Sequence, residues 1–502
     1  MREIVTLQLG QLSNYTATHF WNAQESYFTY SDNEKSLVDH NVHWRAGIGA
    51  DGSETFLPRT VIYDLKGGFG SLRKINALYE AESESNPEAL WSGQSVVHKQ
   101  TPIDPSAYQQ SLDAGTEPAR LSTSNVRYWS DFSRAFFHPK SLVQLYDFEL
   151  NSTTMPFERF SMGTELFSML DKEHEIVDRD FRPFAEECDR MQGIQVFTTI
   201  DDAWGGFTSS YLESLRDEFP KTTIWTWGLQ SPSLDISRAK RQLRLANTAH
   251  SIEQLCTQAS TVVPLALPEE GMSTAVSIDR RSPWHTSALM AAAIETATLP
   301  SRLTQNSSEQ PGSLDTLAES LNVNGNQPLA SMHMSLAPVK DTPEDSCIDV
   351  DFFQVGRTWS RQHIARLDTY KHVFGEIISC RDIDPLEHED EDTPRYLTPG
   401  ERPAIGSSIV RKYVTFDNPL RFPLLDAYPH IYPQLADHSD ASVRTTLSTN
   451  SSMVQRIRTL RTESARLVPV SEREDLGNGL AELADAYQEG WFSGSDDDDD
   501  DL

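Results

Sequence analysis

Few of the residues able to do chemistry stand at spacings that let them act together. His40 and His43 have H-x-x-H spacing, but no acidic ligand nearby completes a metal site, so they read as structural or solvent-facing. Ser209 and Ser210 open a helical stretch, where hydroxyls commonly cap backbone N–H groups, and no G-x-S-x-G elbow surrounds them. Cys188, Cys256, Cys347 and Cys380 are far apart and form no CxxC pair. Neither a disulfide framework nor a zinc knuckle is indicated, and a reducing, intracellular compartment is the natural expectation. The densest chemistry is the loop Asp201-Asp-Ala-Trp-Gly-Gly206, which holds two carboxylates, an indole and two glycines between a strand and a helix. Phe20, Trp21, Tyr27, Phe28 and Tyr30 read most simply as core, and a partner groove only if one face is exposed. Arg456, Arg458, Arg461 and Arg466 line a helix that could touch acidic lipid or protein, a solvated or internally paired face being the plainer alternative.

The elements that would position these residues alternate strand and helix over the first 270 positions. Ile4–Leu9 is a short apolar strand closed by Gly10 and followed by a helical stretch to about Gln24. Thr60–Leu65 is a β-branched run ended by Gly67-Gly68. Gly163–Met191 reads as one or two helices, and Gly193–Ile200 as a buried strand. Phe207, Tyr211, Leu212, Leu215 and Phe219 mark an amphipathic helix that Pro220 ends, before a strand at Thr222–Leu229. This alternation, with short Gly-rich turns, predicts an α/β fold with a mainly parallel sheet. Further on, Thr286–Thr298 is a helix stopped by Pro300, and Phe352–Cys380 carries a long helical pattern. Tyr413–Pro433 is Pro- and aromatic-rich and not helical, and Ser452–Arg466 is a basic amphipathic helix.

Composition sets the outer limits. The chain has 502 residues, 43 Lys+Arg against 74 Asp+Glu, and a net charge of −31. At 38% hydrophobic and 23% charged it is a globular composition, long enough for two or three cores. The acid excess argues against direct nucleic-acid binding, which needs a basic footprint, and against simple adsorption to anionic lipid. Ser471–Leu502 holds twelve acids and one Arg, so this stretch carries −11 of the total. No apolar run approaches the ~18 residues that would span a bilayer. The N-terminus lacks both the apolar core of a signal peptide and the acid-poor character of a transit peptide. Any association with an organelle is therefore expected to be peripheral.

Several segments, taken in order, resemble tubulins. Met1-Arg-Glu-Ile-Val-Thr-Leu-Gln-Leu-Gly-Gln-Leu-Ser-Asn-Tyr is similar to the strand that enters the first tubulin phosphate loop. Leu57-Pro-Arg-Thr-Val-Ile-Tyr-Asp-Leu-Lys resembles the strand ending in the acidic magnesium loop. Phe184-Ala-Glu-Glu-Cys-Asp-Arg-Met-Gln-Gly-Ile-Gln-Val-Phe resembles the helix and strand that feed the Gly-rich loop, with weaker echoes at Leu289–Leu303 and His333–Pro338. The head Thr16–Tyr30, His40-Asn-Val-His-Trp-Arg and Tyr128-Trp-Ser-Asp-Phe-Ser-Arg-Ala-Phe-Phe-His-Pro-Lys-Ser-Leu have no tubulin counterpart. Those segments resemble the Misato family, tubulin-related proteins that are not tubulins, in a fungal-type form.

The resemblance implies a tubulin-like fold and nominates Gly10, Gln11, Asn14, Asp64, Gly205 and Gly206 as vestiges of a nucleotide site. Phosphate binding needs glycines that let backbone N–H groups approach, with a helix N-terminus behind them. The loop that is nearly all Gly, Thr and Ser in tubulins here contains Asp201, Asp202 and Trp204. A carboxylate ~5 Å from a phosphate charge costs on the order of 3 kcal/mol at an effective dielectric near 20. Lys66 stands in place of a magnesium-associated acid, Ser13 in place of a first-loop Gly, and Ala318 where the hydrolysis loop carries an acid, although Asp315 matches a polar position. The expectation is no enzymatic activity and no resident cofactor or metal. The alternative is a GTP-binding, weakly hydrolysing or non-hydrolysing switch, with Asp64, Asp201 and Asp202 holding Mg²⁺ and a link to microtubule or tubulin assembly.

The resemblance also implies a role in partitioning mitochondria and inheriting mitochondrial DNA through protein partners, including tubulin or chaperonin machinery. The implied location is the mitochondrial outer surface and the cytoplasm. The expected organisation is an N-terminal domain over 1–270 with a polar insertion at about 83–126, and a second domain over 271–450 with polar insertions at about 304–326 and 382–403. A basic helix at 451–470 and an acidic, disordered tail at 471–502 complete it.

Overall fold

A strand buried on both faces must cover its polar side chains as well, and Glu3–Leu9 (β1) is such a strand, buried along its whole length with Glu3, Thr6 and Gln8 included. The structure is a computed structural model that describes residues 2–29, 36–49, 52, 54–72, 103–269, 272–273, 275–304, 312–336, 348–355, 371–382 and 410–488, with backbone only at 410–412. β1 leads through Gly10 into α1 (Gln11–Glu25). A hairpin of β2 (Trp44–Ile48) and β3 (Glu54–Pro58) precedes β4 (Thr60–Lys66). Then come α2 (Ala107–Asp113), β5 (Leu142–Glu149), α3 (Phe160–His174), α4 (Arg182–Glu186), β6 (Met191–Thr199), α5 (Ala203–Glu218), β7 (Thr223–Leu229), α6 (Arg238–Gln258) and β8 (Thr261–Leu265).

Six of these strands form one parallel sheet in the order β5-β4-β1-β6-β7-β8. The chain winds outward from β1 in one direction and from β6 in the other. The switch point therefore lies between β1 and β6, and in such sheets the crevice outside the carboxyl ends of those strands is where ligands bind.

Helix α7 (Pro283–Thr298) is buried around nearly its full circumference between α1 and a second sheet. The second sheet has the order β10-β9-β15-β11-β12, from α8 (Leu314–Leu321), β9 (Ser331–Leu336), β10 (Ile348–Asp351), β11 (Val373–Arg381), β12 (Val410–Asn418), the two-residue strands β13 (Phe422–Pro423) and β14 (Asp440–Ala441), and β15 (Val443–Asn450). Buried charge ties α7 to this sheet. Glu295 receives bonds from Arg302 and Arg381, with all three side chains fully inaccessible. Arg381 also donates to Thr296 at 2.9 Å and to the Tyr27 hydroxyl at 3.1 Å.

Four expectations need correction. The end of the helical Phe352–Cys380 pattern is strand β11, because Val373–Arg381 is buried on both faces and pairs with β12 and β15. Within the polar 304–326 stretch, α8 forms behind a Ser313 cap and buries Leu314, Leu317 and Leu321. The part of the 83–126 insertion that is described is anchored. Tyr108 of α2 is buried, Ser106 donates to the Asp131 carbonyl, and Gln109 donates to the carbonyls of Ser130 and Ser133. The acidic tail begins later than 471, since Val470–Asp485 is a helix. Its Leu476, Leu480 and Ala484, with Tyr487, form an apolar stripe against α6, and the Tyr487 hydroxyl bonds both backbone groups of Leu329 at 2.7 Å. Residues 489–502 and most of 382–403 lie outside the described residues.

The basic helix forms at Ser452–Ser464, but its cations are partly spent inside the fold. Arg456 is buried, stacks over Phe353 and reaches Asp351 at 3.3 Å, while Arg458 lies 3.5 Å from Asp485.

Candidate functional site

The carboxyl ends of β1 and β6 open into a cleft of roughly 310 Å³. Gln11 lines it from α1, Thr199 from the end of β6, Asp201 and Asp202 from the loop that follows, Trp204 from the start of α5, and Thr286 from α7. Gly10 has φ +92°, a conformation that glycine adopts without strain, and this turns the chain from β1 into α1. The space above Gly10 is filled by protein. A Cβ built there would lie 2.6 Å from Cδ1 of Trp204, and the indole is wedged edge-on against Phe157 with ring centres 5.4 Å apart.

The N-terminus of α5 is occupied in the same internal way. Asp202 is its cap, accepting from the Trp204 N–H at 2.9 Å and from the Thr199 hydroxyl at 2.6 Å. A helix N-terminus offers its N–H groups to an acceptor such as a phosphate, and here the acceptor is a side chain of the protein itself. Burial pushes the Asp202 carboxyl up to about 7, with the Asp201 charge adding to the rise. Asp201 is also raised by burial, against the opposing pull of Arg244. One Asp201 oxygen accepts from the Ser231 N–H at 3.0 Å and lies 3.5 Å from the Arg244 guanidinium, and the other has no partner among the described residues.

Of the six sequence-nominated residues, Gln11 lines the cleft and Gly10 lies beneath Trp204. Asn14 and Asp64 face each other below it. Asp64 is fully buried and accepts from Asn14 Nδ2 at 2.8 Å, Trp129 Nε1 at 3.1 Å and the Leu65 N–H at 2.8 Å. Burial raises its carboxyl to about 6 despite those three donors. Gly68 closes over it, since a Cβ there would meet the carboxylate carbon at 2.3 Å. Gly205 and Gly206 serve helix packing. Their missing Cβ atoms admit Ser251 Oγ of α6 and the Phe160 carbonyl at the start of α3, each at 2.0 Å.

Asp64 is thus engaged away from Asp201 and Asp202, and among the described residues no group of three His, Cys, Asp or Glu side chains is placed to hold a metal. A nucleotide phosphate at the first loop would need the volume that Trp204 fills, and at α5 it would displace the Asp202 cap. Asp315 lies at the opposite, amino-terminal end of the strands, accepting from the Thr223 hydroxyl at the start of β7. His43 is buried among Phe20 and Trp21, and His40 stacks on Phe28 at 3.8 Å. Ser209 lies inside α5 and bonds the Gly205 carbonyl, so it is not a cap. Tyr30 lies outside the described residues.

Sequence reading missed Lys240, Arg244 and Arg280 as cleft residues. The run Arg238-Ala-Lys-Arg-Gln-Leu-Arg was a visible signal for the first two. Lys240 pairs with Glu158 at 2.6 Å, and Asn247 holds the rim by donating to the Glu158 and Asp201 carbonyls.

A doubly wound sheet with this loop set defines a tubulin-like protein. The model of the Misato Segment II tubulin-like domain matches residues 2–114, and that of the tubulin domain matches 118–303. Protein DML1 of Gibberella zeae is 87% identical over 502 residues, covering the full length of both chains. Protein dml-1 of Neurospora crassa is 47% identical and Protein DML1 of Yarrowia lipolytica 28% identical, again over the full length of each. The chain belongs to the Misato/DML1 family of tubulin-like proteins. Among the described residues no helix is long and apolar enough to cross a membrane.

Proposed function

We propose that this chain is a non-enzymatic scaffold on the tubulin fold that requires no nucleotide. It acts through protein partners in distributing mitochondria and in the inheritance of mitochondrial DNA, at the mitochondrial outer surface and in the cytoplasm. The observation that supports the nucleotide-free reading is the double internal occupancy of the cleft, Trp204 over Gly10 and Asp202 on the α5 N-terminus. The organelle role rests on kinship with the Misato family. Tubulin or chaperonin components are the partners to look for, and the acidic surface argues for action without touching DNA.

Conditional depletion with replacement tests both parts. Loss of the protein should collapse mitochondrial distribution and lower mitochondrial DNA copy number, and a Gln11→Ala replacement should restore both. Normal mitochondria after depletion would remove the organelle role. A stably expressed Gln11→Ala chain that fails to restore them would favour a second reading, a non-hydrolysing GTP switch. That reading draws on the positive φ of Gly10 and on Gln11 at the cleft wall.

A further inference from the structure

The first two turns of α6 carry Arg238, Lys240, Arg241 and Arg244, and the first turn has no acidic residue. Cations there face the positive end of the helix dipole, and like charges one turn apart repel. Such local conflicts concentrate at functional sites. Lys240 and Arg244 are relieved by Glu158 and Asp201. Arg238 and Arg241 are exposed, and among the described residues no carboxylate pairs with either. With Leu245 they wall a groove of roughly 640 Å³ beside the cleft. Of the acids at its rim, Asp201 is taken by Arg244, and Glu269 acts on the half-buried Arg280, leaving Glu463.

We propose that this groove is the docking site of the chain's own acidic run, Asp496–Asp501. Six consecutive carboxylates are the complement to two unpaired guanidiniums on a chain of net charge −31. Length agrees with placement. The last helix ends beside the C-terminal end of α6, where Asp485 and Ala486 share a groove with Gln258. From that end to Arg241, α6 spans ~26 Å at 1.5 Å per residue. The eight residues from Gln488 to Asp496 reach ~27 Å when extended, and those to Asp501 ~45 Å. Tethering sets a local concentration on the order of millimolar, so another acidic segment enters the groove only by displacing the tail.

The test uses the full chain with Asp496 to Asp501 replaced by Asn, and a fluorescent synthetic peptide of residues 489–502 at low ionic strength. The peptide should bind the Asn-tail chain at least about tenfold more tightly than the native chain, whose groove is filled. Binding should weaken with added salt, and adding Arg238→Glu and Arg241→Glu, both on exposed positions, should abolish it while the melting temperature holds. Equal binding to both chains, no binding to the Asn-tail chain, or binding indifferent to the two arginine changes would overturn the proposal. A tail-dependent dimer in sedimentation would overturn it as well, by placing the tail in the groove of a second copy.

Discussion

Trp204 lies directly on Gly10, close enough that a single methyl group on the glycine would sit 2.6 Å from the indole. The two residues follow the two strands that flank the switch point of the sheet, Gly10 in the turn between β1 and α1 and Trp204 in the first turn of α5 after β6. Their contact turns the mouth of a ligand crevice into part of the core.

Gly10→Ala should therefore destabilise the protein in the absence of any ligand. The positive φ costs a β-carbon on the order of 1–3 kcal/mol, and displacing the indole adds to it. Urea unfolding should show a fall in midpoint at unchanged slope, and Trp204→Ala should remove the steric part of the Gly10→Ala penalty while costing about 3–5 kcal/mol by itself. Independent, additive effects of the two changes would contradict the contact.

Gly206→Ala in α5 and Gly163→Ala in α3 test whether Gly206 packs helices or holds a ligand. Each new Cβ would press on a backbone carbonyl, that of Phe160 at 2.0 Å and that of Ala203 at 1.8 Å, across the α3–α5 contact. Both should lower the melting temperature of ligand-free protein sharply. A ligand-binding role alone would leave the ligand-free melt unchanged.

The pH dependence has a definite sign. The Asp202 carboxyl, held up at about 7, and Asp64, at about 6, keep their protons in the folded chain where the unfolded chain has lost them. The folded state then binds more protons than the unfolded state from about pH 4 upward, so these groups make stability fall as pH rises to about 7. Asp202→Asn keeps a capping oxygen and cannot ionise. Its melting temperature should gain on the native protein between pH 5 and 8. An identical pH profile for the two would contradict the assignment.

Glu295 of α7 lies between two buried guanidiniums, that of Arg302 in the turn after the helix and that of Arg381 at the end of β11. Glu295→Gln should cost about 3–5 kcal/mol in chemical denaturation, since it strands two buried cations. A cost below ~1 kcal/mol would show that water reaches this cluster and screens it.

What was legible in the sequence follows physical range. β1, β4, β6 and β7 announce themselves by short runs rich in apolar and β-branched residues closed by turns, and the order of those runs suffices for the parallel sheet. The run at Val373–Arg381 is equally apolar, and there periodicity alone does not separate a strand from a buried helix. The stripe Leu476, Leu480, Ala484 and Tyr487 was present but was outweighed by the surrounding acids. The site was half legible. Asp202 and Trp204 stood out as foreign to a phosphate loop, yet a capping bond depends on loop geometry and the Gly10 contact spans nearly 200 positions. Neither leaves a local pattern.

The most direct test of the nucleotide-free cleft is isothermal titration of the purified full chain with GTP and Mg²⁺. The occupied loops predict no heat of binding up to millimolar GTP. Binding tighter than about 10 µM, corresponding to roughly −7 kcal/mol, and lost in Gln11→Ala, would contradict the account.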